Sequence, residues 1–264
     1  MIPPKKIIAF QTMILERYAH HKRQLPRRDV FDPYAVVVSE VMLQQTQVDR
    51  VIPKYLHFLQ QLPDFWALAW AEKKLLLELR SGLGFNSRVL RLQQCAQCVL
   101  DTFGGVLPQT REELRSLPGI GAYSSASILA FAFNLPAAVI DTNIRRVLIH
   151  AFALPEDIGV AALEEIALSV IPTGKSNDRH NALMDYGSQV ATAQKTWIKP
   201  VSKQSKFEGS PRQVRGGIVK RLVTYGPTAQ DVLEKRFAHP QFETVLTQLL
   251  KENMVHVTDG VVSL

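Results

Sequence analysis

The chain has 264 residues, 46% of them hydrophobic and 21% charged, with a formal net charge of +7. That length supports one large or two modest domains, in two or three compact parts whose core needs no disulfide staples. No apolar run approaches the roughly 18 residues of a membrane span, and the start Met1-Ile2-Pro3-Pro4-Lys5-Lys6 lacks the apolar stretch of a secretory signal, so a cytoplasmic protein without membrane association is expected.

In chain order the pattern is almost entirely helical. Asp32-Pro33 supplies an N-cap and a first-turn proline for a helix reaching about Gln45, in which Glu40 sits among Val37, Val38, Val41 and Leu43. A second helix is predicted over 47–61, kinked or delayed by Pro53. A third, over 64–80, stops at Gly82-Leu83-Gly84. Asn86 is the expected cap of the next, which ends at Gly104-Gly105. Thr110-x-x-Glu113 has the capping-box pattern of a short helix. Leu117-Pro118-Gly119-Ile120-Gly121 then reads as a turn, and 123–133 as an apolar, deeply packed helix. A helix beginning just after Asp141 carries Arg145, Arg146 and His150, and two more follow near 161–171 and 177–191.

Residues 192–211 have no apolar periodicity and read as a linker. From Lys195 to Arg221 eight basic residues face one acid, Glu208, a surplus equal to that of the whole chain. Such a stretch suits a polyanion, or simply a solvated connection. Helices near 213–224, 228–237 and 241–253 precede a terminal segment where Asp259-Gly260, between apolar alternations, signals a hairpin. Three short helices and a hairpin match a winged-helix arrangement, or a helical cap packed on the core.

Several residues can carry chemistry. Buried among apolar neighbours, Glu40 would keep its proton and could donate it; at the helix edge it would be an ordinary solvated glutamate. Asp141 is placed to cap a helix and can still stabilise a nearby positive centre. Gly119 and Gly121 permit a tight turn before a helix N-terminus, an arrangement suited to an anion such as a DNA phosphate. Cys95 and Cys98 are the only cysteines, spaced C-x-x-C inside a helical pattern without a second pair, and read as small hydrophobes of the helix.

Ser39-Glu40-Val41-Met42-Leu43-Gln44-Gln45-Thr46-Gln47-Val48, then Gly82-Leu83-Gly84, Leu117-Pro118-Gly119-Ile120-Gly121, Asp141-x-Asn143-x-x-Arg146-Val147 and Leu183-Met184-Asp185-x-Gly187 resemble, in order and spacing, the pattern of the MutY adenine-specific mismatch DNA glycosylases. The resemblance spans about residues 24–190 and implies the helix-hairpin-helix glycosylase fold, whose members flip a nucleotide out of DNA and cut its base–sugar bond. It implies that Glu40 protonates the adenine ring and that Asp141 stabilises the oxocarbenium-like sugar, with Tyr123 and Asn143 orienting the groups and the water. It also implies DNA contacts at Gln44, Gln45, Phe85, Arg88, Leu117, Gly119, Gly121, Arg28 and Arg146. Lyase relatives carry a lysine at the place of Tyr123, so base release without strong strand cleavage is expected.

Three departures qualify the resemblance. The four cysteines that commonly bind an iron–sulfur cluster have no counterpart in Gly187-Ser188-Gln189-Val190-Ala191-Thr192-Ala193, so no cofactor and no metal are expected. Arg27 stands where the family usually has tryptophan, and Phe85-Asn86 replaces Tyr-Tyr. A winged-helix-like module is expected in place of the usual NUDIX-like domain. The fold class is therefore an all-α, two-lobed helix-hairpin-helix glycosylase with a small C-terminal α+β module. The core covers 1–191, with a six-helix lobe about 33–140 and a second lobe from the N-terminal segment plus 141–191; a basic linker covers 192–211 and the winged-helix-like domain 212–264. The expected partner is duplex DNA with a mismatched or oxidised base pair, bound by a monomer that is nucleoid-associated if bacterial. A thymine or uracil mismatch glycosylase, and a non-catalytic binder of distorted DNA, are the alternatives.

Overall fold

A computed structural model describes residues 2–28, 30–200 and 206–264. Lys203 and the rest of 201–205, within the expected linker, lie outside the described residues. The helices of the first half are α1 (Pro4–His21), α2 (Pro33–Leu43), α3 (Val48–Gln61), α4 (Phe65–Ala69), α5 (Lys73–Leu79), α6 (Ser87–Phe103), α7 (Arg111–Ser116) and α8 (Ala122–Ala132). They are followed by α9 (Thr142–Phe152), α10 (Val160–Ser169), α11 (Ser176–Gln189) and α12 (Ala193–Thr196). The chain ends with α13 (Pro211–Tyr225), β1 (Thr228–Ala229), α14 (Gln230–Phe237), α15 (Phe242–Lys251), β2 (His256–Thr258) and β3 (Val261–Ser263). Among the described residues no helix is long and apolar enough to cross a membrane.

Contacts divide the chain into two compact units, Met1–Glu40 with Val106–Lys203, and Val41–Gly105 with Gln204–Leu264. This division cuts within α2 and after α6, whereas the sequence pattern had placed one lobe over about 33–140.

The first unit is built around α8, α9 and α11. Its core joins Phe10 and Ile14 of α1 to Ile144, Leu148 and Phe152 of α9, Leu163 of α10 and Leu183 of α11. The helix α1 went unpredicted: Phe10 and Ile14 are spaced i, i+4, yet the polar residues between them hide the stripe. Asp32 accepts from the Tyr34 N–H at 3.1 Å and so begins α2 as expected. Thr110 accepts from the Glu113 N–H at 3.3 Å and donates to the Glu113 carboxylate at 2.6 Å, fixing α7. From Ser124 to Ala132 every residue of α8 is buried, as its composition predicted. The start of the expected linker is held to this unit. The Lys199 N–H donates to the Glu156 carboxylate at 3.2 Å, and Arg145 Nη1 to the Lys199 carbonyl at 3.4 Å.

In the second unit the helix expected over 64–80 is two helices. The break at Trp70-Ala71-Glu72 exposes carbonyls that would be intrahelical, and α6 satisfies them: Gln93 donates to Ala69 and Ala71 at 3.2 and 2.7 Å, Gln97 to Ala69 at 2.9 Å. Pro53 lies inside a continuous α3 and does not delay its start. Asn86 occupies the cap position of α6 without a side-chain cap, whereas Gly104 ends the helix at φ 61° as expected.

The C-terminal segment of this unit buries Ile218, Leu222, Leu233, Leu246 and Leu249 and carries a three-stranded antiparallel sheet of order β1-β3-β2. Asp259 and Gly260, at φ 51° and 73°, make the predicted tight turn. The order helix, strand, two helices, hairpin is that of a winged helix. The strand β1 has two residues and leaves no alternation to read in the sequence.

Candidate active site

All the groups in the first cluster belong to the first unit. Glu40 lies in the last turn of α2 with 4% of its surface exposed. Arg27 Nη1 donates to Glu40 Oε1 at 3.3 Å, and the same guanidinium lies 5.2 Å from the centre of the Phe131 ring. Burial pushes the Glu40 carboxyl up; Arg27 and then the Ser127 hydroxyl pull it back, and the Asp141 charge adds a smaller push upward. The net displacement is upward, so Glu40 holds its proton beyond the usual carboxylate range and can act as a general acid.

Asp141 caps α9, accepting from the Ile144 N–H at 2.6 Å. Burial raises its carboxyl, while the cap and the Arg146 charge oppose that rise. Tyr123 is the second residue of α8. Burial lifts its phenol well above the ordinary value of 10, the Glu40 and Asp141 charges add to the lift, and Arg27 opposes it. The phenol therefore stays protonated and is available as a hydrogen-bond donor, not as a nucleophile. Tyr123 feels Glu40, Asp141 and Arg27 together, which places groups from α2, α8, the start of α9 and the segment before α2 in one site.

Asn143 is fixed from two sides. Its amide donates to the Met184 carbonyl at 3.0 Å, and Arg146 donates to its oxygen and to the Gly187 carbonyl, the latter at 2.9 Å. A Cβ at position 187 would sit 2.6 Å from Asn143 Nδ2, so the glycine is needed for this approach. Gly187→Ala is expected to displace Asn143 and lower single-turnover activity about 10- to 100-fold with a small change in melting temperature, since a misplacement of about 1 Å can cost that much. Single-turnover kinetics alongside thermal unfolding would check it; equal loss of stability and activity would count against a positioning role.

Of three expected DNA contacts, two side chains are internal and the third is partly engaged within the protein. Arg28 forms a fork to Asp185, with both nitrogen–oxygen distances 2.6 Å and the guanidinium side chain 3% exposed, so it cannot serve a phosphate. Arg146 is half-buried and gives Nε to the Ala191 carbonyl and Nη2 to Asn143 and Gly187. The side chain of Leu117 is buried at 2% exposure. Gly119, at φ 80°, and Gly121 lie in the exposed turn between α7 and α8, where backbone N–H groups of the α8 N-terminus are presented. Two residues of the site were missed as participants: Arg27, visible in the sequence only as a departure from the expected tryptophan, and Ser127, which no local signal distinguishes from the other serines of α8.

A second cluster belongs to the second unit. Arg88 Nη1 donates to the Gln44 carbonyl at 2.5 Å and Nη2 to Gln45 Oε1 at 3.4 Å, and its guanidinium stacks 4.2 Å from the Phe85 ring centre. Gln45 and Phe85 both have left-handed backbones, at φ 58° and 49°. One arginine thus ties together two strained turns and three other expected DNA-contacting residues.

A family model described as HhH-GPD superfamily base excision DNA repair protein matches residues 38–173, just over half of the chain. The chain belongs to the HhH-GPD superfamily. The superfamily segment contains Glu40, the α7–α8 hairpin, Tyr123, Asp141 and Asn143. Relatives include the adenine DNA glycosylase of Mus musculus, 35% identical over 80% of this chain and 43% of the relative, and that of Homo sapiens, 36% identical over 77% and 39%. The adenine DNA glycosylase of Mycolicibacterium smegmatis is 32% identical over 79% of this chain and 78% of its own length. The chain thus spans about two-fifths of the mammalian relatives it matches. Among solved structures, a thermostable thymine-DNA glycosylase superposes with a TM-score of 0.67 at 28% identity, covering 72% of this chain and 90% of that one. A non-covalent endonuclease III–DNA complex superposes at 0.64 with 18% identity, covering 76% and 91%, and shares the fold.

The residues present do not fit the iron–sulfur cluster of some superfamily members, which needs four thiolates. Cys95 and Cys98 are the only thiols of the sequence; Cys95 is buried in α6, where burial and, after it, Cys98 push its thiol up to about 12. A thiol so held stays protonated and is a poor ligand.

Proposed function

We propose that this protein is an adenine DNA glycosylase of base-excision repair, hydrolysing the N-glycosidic bond of adenine opposite 8-oxoguanine or guanine in duplex DNA without a strand-cleaving lyase step. The observation that carries the reading is a buried, proton-holding Glu40 sharing one site with Asp141 and Tyr123. The relatives named adenine DNA glycosylase support the choice of base.

Glu40 donates its proton to a ring nitrogen of the extruded adenine, and the C1′–N9 electron pair leaves with the base. The Asp141 carboxylate stabilises the positive sugar that remains, as the second carboxylate of a glycosidase does. A water then adds at C1′ and its proton returns to the Glu40 carboxylate, leaving free adenine and an abasic site. Asn143 and the protonated Tyr123 orient the groups. Tyr123 offers no amine for a Schiff base, hence the absence of a lyase step. Gly119 and Gly121 hold a phosphate, while Gln44, Gln45, Phe85 and Arg88 enter the duplex.

The glycosylase core over 1–191, the basic connection and the winged-helix-like module act as one cytoplasmic monomer without a cofactor. The likeness to a thymine-DNA glycosylase favours, as a second reading, a thymine or uracil mismatch enzyme. Thymine lacks the matching ring nitrogen for Glu40.

Single-turnover base release from duplexes with A opposite 8-oxoguanine, A opposite G, and T or U opposite G decides between these. Adenine release that Asp141→Asn abolishes supports the proposal; thymine or uracil release supports the second reading, and tight binding without release sinks both. Arg27→Met adds a pH test. With the cation gone, Glu40 keeps its proton to higher pH, so the alkaline limb of the pH–rate profile is expected to move upward. An unmoved limb in a folded variant would separate Arg27 from the acid.

A further inference from the structure

Within the first unit, residues 133–141 join α8 to α9 without regular structure, are buried at Ala137, Ala138 and Val139, and end in Asp141. Buried backbone groups of such a stretch have no helix or ladder to satisfy them and need partners from elsewhere in the fold. We propose that His180 of α11 is a positioning residue for both carboxylates of the site. It holds the segment that ends in Asp141 through the Val139 N–H, and it backs the Phe131 ring against which Arg27, the partner of Glu40, is seated. The proposal rests on the glycosylase reading for the reaction that the two carboxylates perform.

The hold on Asp141 follows from the hydrogen bonds of a wholly buried ring. His180 Nδ1 lies 2.6 Å from the Ser176 carbonyl, which can only accept, so Nδ1 carries the proton. Nε2 lies 3.0 Å from Arg179 Nη1, which can only donate, so Nε2 is the acceptor. The imidazole is therefore neutral and in one tautomer. Burial, and after it the Arg179 charge, push the ring down to about 3 against the opposing pull of the Ser176 and Ala137 carbonyls. The same Nε2 accepts from the Val139 N–H at 3.4 Å, a hydrogen shared with the Ala137 carbonyl at 3.1 Å. The bond to Ala137 closes a tight turn inside the segment, and the bond to His180 ties that turn to α11. Two residues further on, Asp141 caps α9.

The hold on Glu40 is one of packing. The His180 and Phe131 rings meet edge to face, their centres 6.1 Å apart at an interplanar angle of 75°, and the Phe131 carbonyl accepts from Asn177 Nδ2 at 2.8 Å. Helix α11 thus grips Phe131 by ring and by backbone. The Arg27 guanidinium lies 5.2 Å from the centre of that ring and donates to Glu40. Stability alone does not call for this arrangement. Arg179 is 2% exposed, and its Nε and Nη2 have no hydrogen-bond partner among the described residues. A buried cation facing a neutral ring is costly, and apolar side chains would fill the same space at less cost. Such breaks of the local rules mark places where a fold holds functional groups.

The test uses the full chain and two substitutions. His180→Leu removes both nitrogens and the flat ring edge while keeping an apolar side chain of similar size. It is expected to lower single-turnover adenine release about 10- to 100-fold, the effect of a misplacement near 1 Å, while affinity for a duplex with an uncleavable 2′-fluoro adenosine stays within about threefold. With Arg27 less firmly seated, the alkaline limb of its pH–rate profile should move upward, as for Arg27→Met. His180→Gln sets an amide oxygen near the place of Nε2, where it can accept from Val139, and is expected to recover most of the lost rate whatever its melting temperature. Leu163→Ala, a truncation of the same core on α10, is the control for stability alone, with lower melting and the wild-type rate in the folded state. An undiminished rate in folded His180→Leu, a loss shared equally by binding, or a glutamine variant no faster than the leucine one overturns the assignment. Should His180→Leu not fold, His180→Gln decides alone: a rate within about threefold of wild type supports the assignment, and a tenfold or larger loss overturns it. A wild-type chain that releases no adenine would sink the glycosylase reading, and this assignment with it, before any variant is compared. Failure of the variants leaves that reading standing.

Discussion

Exchanging Glu40 for glutamine is expected to lower single-turnover adenine release by roughly 10²- to 10⁴-fold, the usual contribution of a positioned general acid, and to raise the melting temperature at pH 7. Both effects come from the same burial. In the unfolded chain the carboxyl titrates near its ordinary value of 4.5, whereas in the folded protein burial holds it higher despite Arg27 and Ser127. A raised folded value means that the protonated form is the favoured one, so folding carries no charge penalty below pH 4.5. The penalty grows as pH rises through the interval between the two values, then becomes constant. Glutamine avoids it and keeps an oxygen at the place where Arg27 donates. The stabilisation of Glu40→Gln should therefore be absent in acid, appear above about pH 4.5 and level off at higher pH. Thermal unfolding at several pH values, paired with single-turnover kinetics, checks it. Destabilisation at pH 7 would mean that Glu40 acts mainly as a partner holding Arg27. The rate should also fall on both sides of an optimum, in alkali as Glu40 loses its proton and in acid as Asp141 gains one. Both limbs lie above the ordinary carboxylate range because burial raises both groups.

Glu40, Asp141, Tyr123 and Asn143 were picked out by the family resemblance. Their burial and mutual field were not, since each local pattern was equally consistent with an ordinary cap or a solvated glutamate. Arg28 and the side chain of Leu117 show the opposite limit. Arginines near a DNA-binding motif resemble phosphate contacts until their partners are known, and Asp185, which claims Arg28, lies 157 residues away. The broken helix at 70–72 failed for a similar reason: Gln93 and Gln97 supply its missing hydrogen bonds from another helix, and no window of local sequence contains both ends of that exchange. Helices α3 and α6 and the Asp259-Gly260 hairpin were readable because their determinants are local, whereas the longer α1 was not.

Replacing Asp185 by asparagine should cost about 3–5 kcal/mol, the usual result of removing one partner from a buried ion pair. That corresponds to a fall in melting temperature of roughly 6–20 °C for a chain of this size. Burial alone would raise the Asp185 carboxyl, but the Arg28 fork, the Arg23 N–H at 3.1 Å and the Arg23 guanidinium at 2.5 Å together hold it below its ordinary range. Asparagine can accept only part of this set and leaves Arg28, buried and lying 5.5 Å from the Tyr18 ring centre, without its counter-charge. A depressed folded value gives stability above the unfolded carboxyl pKa of about 3.9, lost as pH falls through the folded value. Wild type and Asp185→Asn should therefore differ most at neutral pH and converge in acid. Arg28→Lys should recover part of the loss, since an ammonium keeps the charge without the fork. The same pair anchors the segment that carries Arg27 to Glu40, so the Asp185→Asn variant should also show a displaced alkaline limb in its pH–rate profile. Denaturant unfolding at pH 7 and in acid, together with that profile, provides the check; a stability change below about 1 kcal/mol would mean that the fork contributes little to the native state.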